Sequence, residues 1–164
     1  ENLNEADESF DVVTSGQCWH WFDRPKAASE AFRVLKPGGL MVIAHFDWLP
    51  YAGNVVETTE NLILKYNPAW ALGGGVGIYP DWLTDMANAG FYGLETHSFD
   101  MPQPYSPDGW CGRIRASAGI KASLDAAAIE AFDAELRDLL QKKYPQDPLM
   151  IPHRVRFASG RRPV

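Results

Sequence analysis

The sequence predicts an α/β fold with a parallel core sheet. Residues 10–15 (FDVVTS) and 40–46 (LMVIAHF) are short apolar runs that indicate strands. Between them, residues 25–35 place apolar side chains at helical spacing. A strand, a helix and a second strand in this order form a βαβ unit, for which a right-handed crossover is expected.

Local signals mark each part of this unit. Two adjacent valines, Val12 and Val13, predict a first strand that is buried on both faces and therefore central. Asp23 is expected at or near the N-cap of the helix. The segment 36–39 (KPGG) is expected to end the helix in a tight turn before the strand at 40–46.

The rest of the chain alternates helical and extended patterns without an internal repeat. In the last strand, Val155 and Phe157 alternate with Arg154 and Arg156. The expected segments are, in chain order, helix 53–66, glycine-rich loop 67–79, helix 81–88, strand 91–101, loop 102–109, short helix 110–119, helix 124–143 and strand 151–158.

Composition favours a small, acidic globular protein of one domain, residues 1–164. The net charge of −6 argues against a nucleic-acid partner, and no apolar run approaches the ~20 residues that cross a membrane. Cys18 and Cys111 lie far apart, so neither a disulfide framework nor a metal site is expected, and a reducing cytoplasm fits best. The six tryptophans indicate either a large apolar pocket or ordinary core packing.

Three motifs in fixed order carry a family resemblance. They are SFDVV at 9–13, HWFD at 20–23 and RVLKPGG at 33–39. The sequence resembles the class I S-adenosylmethionine-dependent methyltransferases, in the small-molecule branch, and it matches only the C-terminal half of that domain. The family sheet has the strand order 3-2-1-4-5-7-6. The resemblance therefore implies a partial Rossmann-like sheet of strands 4-5-7-6, with an antiparallel last strand and flanking helices.

The family's main cofactor motifs are not in this stretch of sequence. A glycine-rich turn and an acidic ribose-binding residue belong to the first two family strands, and residues 72–77 (LGGGVG) do not fit the turn's spacing. A lid, a loop beside the substrate or a plain linker is expected there instead. By resemblance, the candidate S-adenosylmethionine-binding residues are Glu1, Asn2, Ser15, Gly16 and Gln17.

Methyl transfer to a weak nucleophile needs positioning and, for some acceptors, a general base. By resemblance, His20 is the catalytic candidate, although packing beside its aromatic neighbours is the commoner role for such a histidine. Aromatic side chains can also attract a sulfonium by cation–π interaction. The candidate substrate-pocket residues are Trp19, Trp21, His45, Trp48, Tyr51 and Trp70.

Loss of the first three family strands would leave strand 10–15 at an edge, where an apolar strand is a pairing hazard. We therefore expect this edge to be covered, either by the same strand of a second copy in a homo-oligomer or by a separate N-terminal fragment. The sequence predicts a methyltransferase-like protein for a small molecule, inactive as this isolated chain. The alternative is a non-catalytic homodimeric or partner-binding module. A hydrolase or oxidoreductase lacks support, since G-x-S-x-G and G-x-G-x-x-G are both absent.

Overall fold

The structure, a computed structural model, describes all 164 residues. It contains four strands, five α-helices and one short 3-10 turn at Trp19–Trp21. The elements are β1 (Phe10–Gly16), α1 (Arg24–Val34), β2 (Leu35–Trp48), α2 (Val55–Tyr66), α3 (Asp81–Asn88), β3 (Tyr92–Tyr105), α4 (Pro107–Arg115), α5 (Ala126–Lys143) and β4 (Leu149–Arg161).

The four strands form one sheet in the order β1-β2-β4-β3. β1 and β2 are parallel, with Ser15 opposite Ile43. The end of β4 pairs with the start of β2, because Arg162 N donates to Gly39 O and Gly38 N donates to Arg162 O, both at 3.0 Å. This pairing is antiparallel. The predicted α/β class and the 4-5-7-6 strand order with an antiparallel last strand are thereby confirmed.

Side-chain caps explain where the helices begin. Asp23 accepts a hydrogen bond from Lys26 N at the start of α1, as expected. Asn54 and Asp125 cap α2 and α5 in the same way, and Ser106 caps α4. Each cap satisfies a backbone N–H that the first helical turn leaves without a partner.

Two local predictions were wrong. The KPGG segment is not a tight turn between α1 and β2, since β2 begins at Leu35 directly after the helix. The segment 102–109 is not a loop, because β3 continues to Tyr105 and α4 begins at Pro107. In both places pairing within the sheet or a serine cap outweighs the local preference of proline and glycine.

The chain divides into two compact units, and each has its own core. The first unit comprises Glu1–Phe46, Gly77–Phe99 and Arg154–Val164, and the second comprises Asp47–Val76 and Asp100–His153. The core of the first unit includes Trp19, Ala28, Leu35, Met41, Ile43, Trp82, Met86, Phe91 and Ala158. The core of the second unit includes Val56, Ile63, Trp110, Ile114, Ile120, Phe132, Leu136, Leu140 and Ile151.

β1 lies at one edge of the sheet, with a neighbour on one side only. Phe10 is 37% exposed and Val12 is 50% exposed. The expectation that this strand is buried on both faces is therefore wrong for this chain, because the edge exposes it. The expectation that another copy or chain covers the edge stays a prediction.

Candidate functional site

The predicted catalytic residue lies where β1 and β2 end. Because these strands are parallel, their carboxyl ends meet at the same edge of the sheet. In open α/β sheets this edge is the usual place for ligands. It brings together Gln17, which directly follows β1, His20 in the following 3-10 turn, and His45 near the end of β2.

Gln17 is held in a strained backbone conformation. Its φ of 57° lies in the left-handed region, which few residues other than glycine adopt. The backbone N–H of Gln17 donates to Ala44 O at 2.9 Å. Its side-chain Oε1 accepts from Phe46 N at 2.7 Å. These two bonds fix Gln17 against the end of β2.

The orientation of the Gln17 amide decides how protons are arranged in the two histidines. A backbone N–H can only donate, so the bond from Phe46 identifies Oε1 and leaves Nε2 as the amide donor. Gln17 Nε2 lies 3.5 Å from His45 Nδ1, and His45 Nε2 lies 3.0 Å from His20 Nδ1. If the Gln17 amide donates to His45 Nδ1, the His45 proton lies on Nε2 and points to His20 Nδ1, and the His20 proton then lies on its own Nε2.

Aromatic rings surround this pair. The His45 ring is only 5% exposed and meets Tyr79 and Trp82 edge-on, with ring centroids 5.3 and 5.2 Å away. Tyr79 and Trp82 stack on each other at 4.1 Å. His20 contacts Trp21, whose side chain is 59% exposed. The pair thus has a dry, apolar side at His45, where electrostatic interactions are stronger than in water.

The predicted cofactor-side residues lie in different environments. Glu1 Oε1 accepts a hydrogen bond from Asp23 N at 2.7 Å, and Asn2 is exposed. Ser15 is buried, and its hydroxyl lies 3.2 Å from Cys18 Sγ. A Cβ atom added to Gly16 would meet nothing within 4 Å, so open space adjoins the backbone at this position. Among these residues, Gly16 best fits the close approach of a cofactor.

Two predicted pocket residues belong to the first unit with His45. Trp19 is 2% exposed and packs in the core, where its Nε1 donates to Asp85 Oδ2 at 3.4 Å. Trp21 lies on the surface against His20. Burial places the Trp19 ring among core side chains, whereas Trp21 remains accessible. The pocket-wall role of each stays a prediction.

The other three predicted pocket residues belong to the second unit. Trp48 Nε1 donates to Glu60 Oε1 at 2.8 Å, and the guanidinium of Arg113 lies 4.9 Å from the Trp48 ring. Trp70 packs close to Gly73 and Gly119. Tyr51 is half exposed, and its hydroxyl donates to Asp100 Oδ2 at 3.2 Å. Each therefore has a structural role within its own unit.

Glu60 is a buried carboxylate that the sequence analysis did not single out. Its second oxygen accepts from Gly74 N at 2.8 Å, so this side chain links the glycine-rich segment to Trp48 within the second unit. The sequence gives no sign of this role, because Glu60 lies in a turn of α2 whose residues are polar and would be expected on the surface.

Arg156 was also missed, because the sequence analysis noted only that Val155 and Phe157 alternate with Arg154 and Arg156. In the structure Arg156 is 8% exposed, whereas Val155 and Phe157 are half-buried. The alternation alone did not tell which set of side chains is buried. A one-residue change of phase moves every side chain of a strand to the other face.

A surface cavity of about 750 Å³ does not coincide with the histidine pair. It is an open groove between α2 and α5 of the second unit, lined in part by Thr58, Lys65 and Lys143. No buried polar groups converge on it. The histidine pair is the better site candidate, because fixed donors and apolar walls meet there.

Other reactive groups do not add a second chemistry. Burial raises the pKa of the Cys111 thiol, which disfavours the reactive thiolate. No group of three or more His, Cys, Asp or Glu side chains is arranged to hold a metal ion. None of the helices is both long enough and apolar enough to cross a membrane.

Comparison with known proteins finds similarity to proteins described as methyltransferases. A family model described as a methyltransferase domain matches residues 1–43. An uncharacterized methyltransferase of Schizosaccharomyces pombe is 51% identical over 137 residues, which make up 82% of this chain and 51% of the yeast protein. The chain thus spans about half the length of this curated relative.

Solved structures agree on the fold. A protein of Anaeromyxobacter dehalogenans assigned as a type II methyltransferase has a TM-score of 0.59 at 18% identity, covering 97% of this chain and 67% of that one. A protein of Bacillus halodurans assigned as a methyltransferase has a TM-score of 0.57 at 20% identity, with 99% and 68% covered. These two structures confirm the predicted fold. Together with the family model and the yeast relative, they agree with the predicted resemblance to methyltransferases.

Proposed function

We propose that this chain, which is related to the class I S-adenosylmethionine-dependent methyltransferases, forms the part of such an enzyme that holds a small-molecule methyl acceptor. The observation that carries the proposal is the linked set Gln17, His45 and His20 at the carboxyl ends of β1 and β2. Three side chains converge there without contributing to a hydrophobic core, and one of them, Gln17, has a strained backbone.

The tautomers define what His20 can do. With its proton on Nε2, the ring offers a donor that can hold an acceptor oxygen in place. Action as a general base at Nε2 would require the opposite tautomers, and a protonated Nδ1 of His45 would then face the Gln17 amide donor. An acceptor that is already an oxygen anion needs no base, so positioning suffices for it.

Bound S-adenosylmethionine would supply the methyl group from its sulfonium. Open space beside Gly16 supports the approach of the methionine end to this backbone, and Glu1, Asn2, Ser15 and Gln17 are the other candidate contacts. A glycine-rich turn and an acidic ribose-binding residue are not supplied by these residues. We therefore expect the isolated chain to bind the cofactor weakly and to be inactive alone.

Titration with S-adenosylhomocysteine by calorimetry tests the proposal. Gly16→Val would fill the open space beside the backbone and is expected to weaken any binding. Gly75→Val is the matched control, because a Cβ there also meets nothing within 4 Å and the residue lies in the second unit. Equal affinity in Gly16→Val and in the unaltered chain would reject the assigned cofactor position.

A second function is favoured by one observation, the exposed apolar edge of β1. The chain would then be a homodimeric or partner-binding module without catalysis. The mass in solution tests this alternative. Val12→Lys should abolish a dimer formed through the edge, whereas Leu72→Lys, at an equally exposed position, should leave it intact. A monomer at all concentrations would remove the homodimer hypothesis.

A further inference from the structure

We propose that Arg156 binds an oxyanion, a carboxylate or a phosphate, beside His45. The inference deepens the proposed function, since it makes the methyl acceptor an acidic small molecule, and to that extent it rests on that function. The anion site itself is defined by the side chains of the first unit and can be measured without methyl transfer.

The environment of Arg156 is the first reason. The side chain is 8% exposed, and its Nε atom is buried without a hydrogen-bond partner. Arg156 takes part in none of the ion pairs described for this chain, which engage other arginines such as Arg33, Arg137 and Arg162. Arg156 therefore has a buried Nε–H without an acceptor, and none of the ion pairs described for this chain gives its guanidinium a carboxylate.

Burial of an uncompensated charge is costly. An arginine cannot avoid the cost by losing its proton, because its guanidinium stays charged in proteins. Buried charges are accordingly found paired or hydrogen-bonded. A bound anion is the partner that a planar, forked donor suits best, since two parallel N–H groups match two oxygens of a carboxylate or phosphate.

The sheet register sets where the anion would lie. Arg162 N donates to Gly39 O at one end of this strand pair, and Leu49 N donates to Pro152 O at the other. Counting six residues from the first bond, or four from the second, along each antiparallel strand brings Arg156 opposite His45. Ala158 and Ile43, two residues away on each strand, share the core of the first unit. Arg156 and His45 therefore lie on the same face, and their Cβ atoms are expected about 5 Å apart.

This neighbourhood joins the anion site to the histidine pair. His45 donates from Nε2 toward His20, and the stacked Tyr79 and Trp82 rings cover one side of His45. An oxyanion on Arg156 would sit in the same apolar surroundings, where a charge-assisted hydrogen bond is stronger than in water. One acidic group held by Arg156 would thus fix an acceptor next to His20.

The Nε–H resonance of Arg156 in a proton–nitrogen NMR spectrum gives a direct test. The signal is identified by its loss in Arg156→Lys. Sodium phosphate and sodium succinate are titrated separately, with sodium chloride at matched ionic strength. We expect a saturable shift of this signal with at least one oxyanion and none with chloride. A shift with succinate alone indicates a carboxylate ligand, and a shift with phosphate alone indicates a phosphate ligand.

Arg161 provides the matched control, because it lies on the same strand and is exposed. Arg156→Met should weaken binding roughly tenfold to a hundredfold, as expected for loss of a charged hydrogen-bond donor. Arg161→Met should bind as the unaltered chain does. An unchanged Arg156 signal with both oxyanions, or equal shifts at Arg156 and Arg161, would overturn the inference even if Arg156→Met failed to fold.

The outcome is separable from that of the proposed function. Oxyanion binding that needs Arg156, in a chain that does not bind S-adenosylhomocysteine, would retain the anion site and reject the methyltransferase role. Binding of S-adenosylhomocysteine without an oxyanion response at Arg156 would retain the role and reject an acidic acceptor.

Discussion

Gln17 allows the backbone strain at the candidate site to be separated from its hydrogen bonds. Gln17→Ala removes the bond from Phe46 N to the side chain, which is worth about 1 kcal/mol, but keeps the left-handed backbone. Gln17→Gly removes the same bond and relieves strain of about 1–2 kcal/mol. Glycine's greater conformational freedom in the unfolded chain lowers the stability by about 0.5–1 kcal/mol, which offsets part of that gain.

We therefore expect Gln17→Ala to lower the free energy of unfolding by about 1 kcal/mol. The Gln17→Gly variant should be more stable than Gln17→Ala, by roughly 0.5–1 kcal/mol. Urea unfolding of the three proteins measures both differences. In both variants the protons of His45 and His20 should no longer be confined to Nε2, because the amide donor that faces His45 Nδ1 is gone. Long-range proton–nitrogen NMR spectra of the imidazoles report which nitrogen carries each proton.

Two results would refute this reasoning. If Gln17→Gly is no more stable than Gln17→Ala, the left-handed backbone is not strained. If both histidines keep their protons on Nε2 in the two variants, the Gln17 amide does not set the tautomers. The His20 donor role proposed above would then lose its structural basis.

Three further predictions concern stability. Hydrogen bonds from Arg33 lower the pKa of Glu30 to about 2 from 4.5, so its stabilising contribution is complete above pH 4.5 and lost as pH falls toward 2. The stability gap between the unaltered chain and Glu30→Gln should shrink over that range in acid titrations followed by circular dichroism, and a constant gap would contradict it. Burial lowers the pKa of His153, so the contribution of this side chain to folding stability is present above about pH 6.5 and lost as pH falls. The unfolding free energy of His153→Gln should therefore depend less steeply on pH than that of the unaltered chain. Equal slopes in the two proteins would exclude this cause. Gly39→Ala would put a Cβ 2.8 Å from a backbone carbonyl and should lower the free energy of unfolding in urea by about 1–3 kcal/mol. Gly75→Ala, where the added Cβ meets open space, should change it little. Similar values for both variants would show that the backbone at Gly39 shifts to accommodate the methyl group.

Local signals in the sequence were sufficient for most of the elements. Asp23 and Asp125 cap helices close to the expected positions, because a cap involves only residues a turn apart. The helix over 81–88 was predicted at the bounds that the structure shows. The strand order came from the family resemblance, since no local pattern specifies which strands are neighbours.

The burial of particular side chains could not be predicted in the same way. Trp19 and Trp21 stand two residues apart in one aromatic segment, yet one lies in the core and the other on the surface. Their difference depends on α3, which is distant in sequence and supplies the Asp85 partner of Trp19. Composition counts aromatic side chains but does not tell which of them a distant helix will cover.

The sequence by itself determined the α/β class, the helix starts and the resemblance to methyltransferases, because these depend on short-range periodicity, caps and ordered motifs. Only the tertiary structure decided that Gln17, His45 and His20 form a linked set and that Arg156 is buried. Both depend on strand register, which joins residues far apart in the chain. A strand's alternation offers two faces, and the packing of other elements selects the one that is buried.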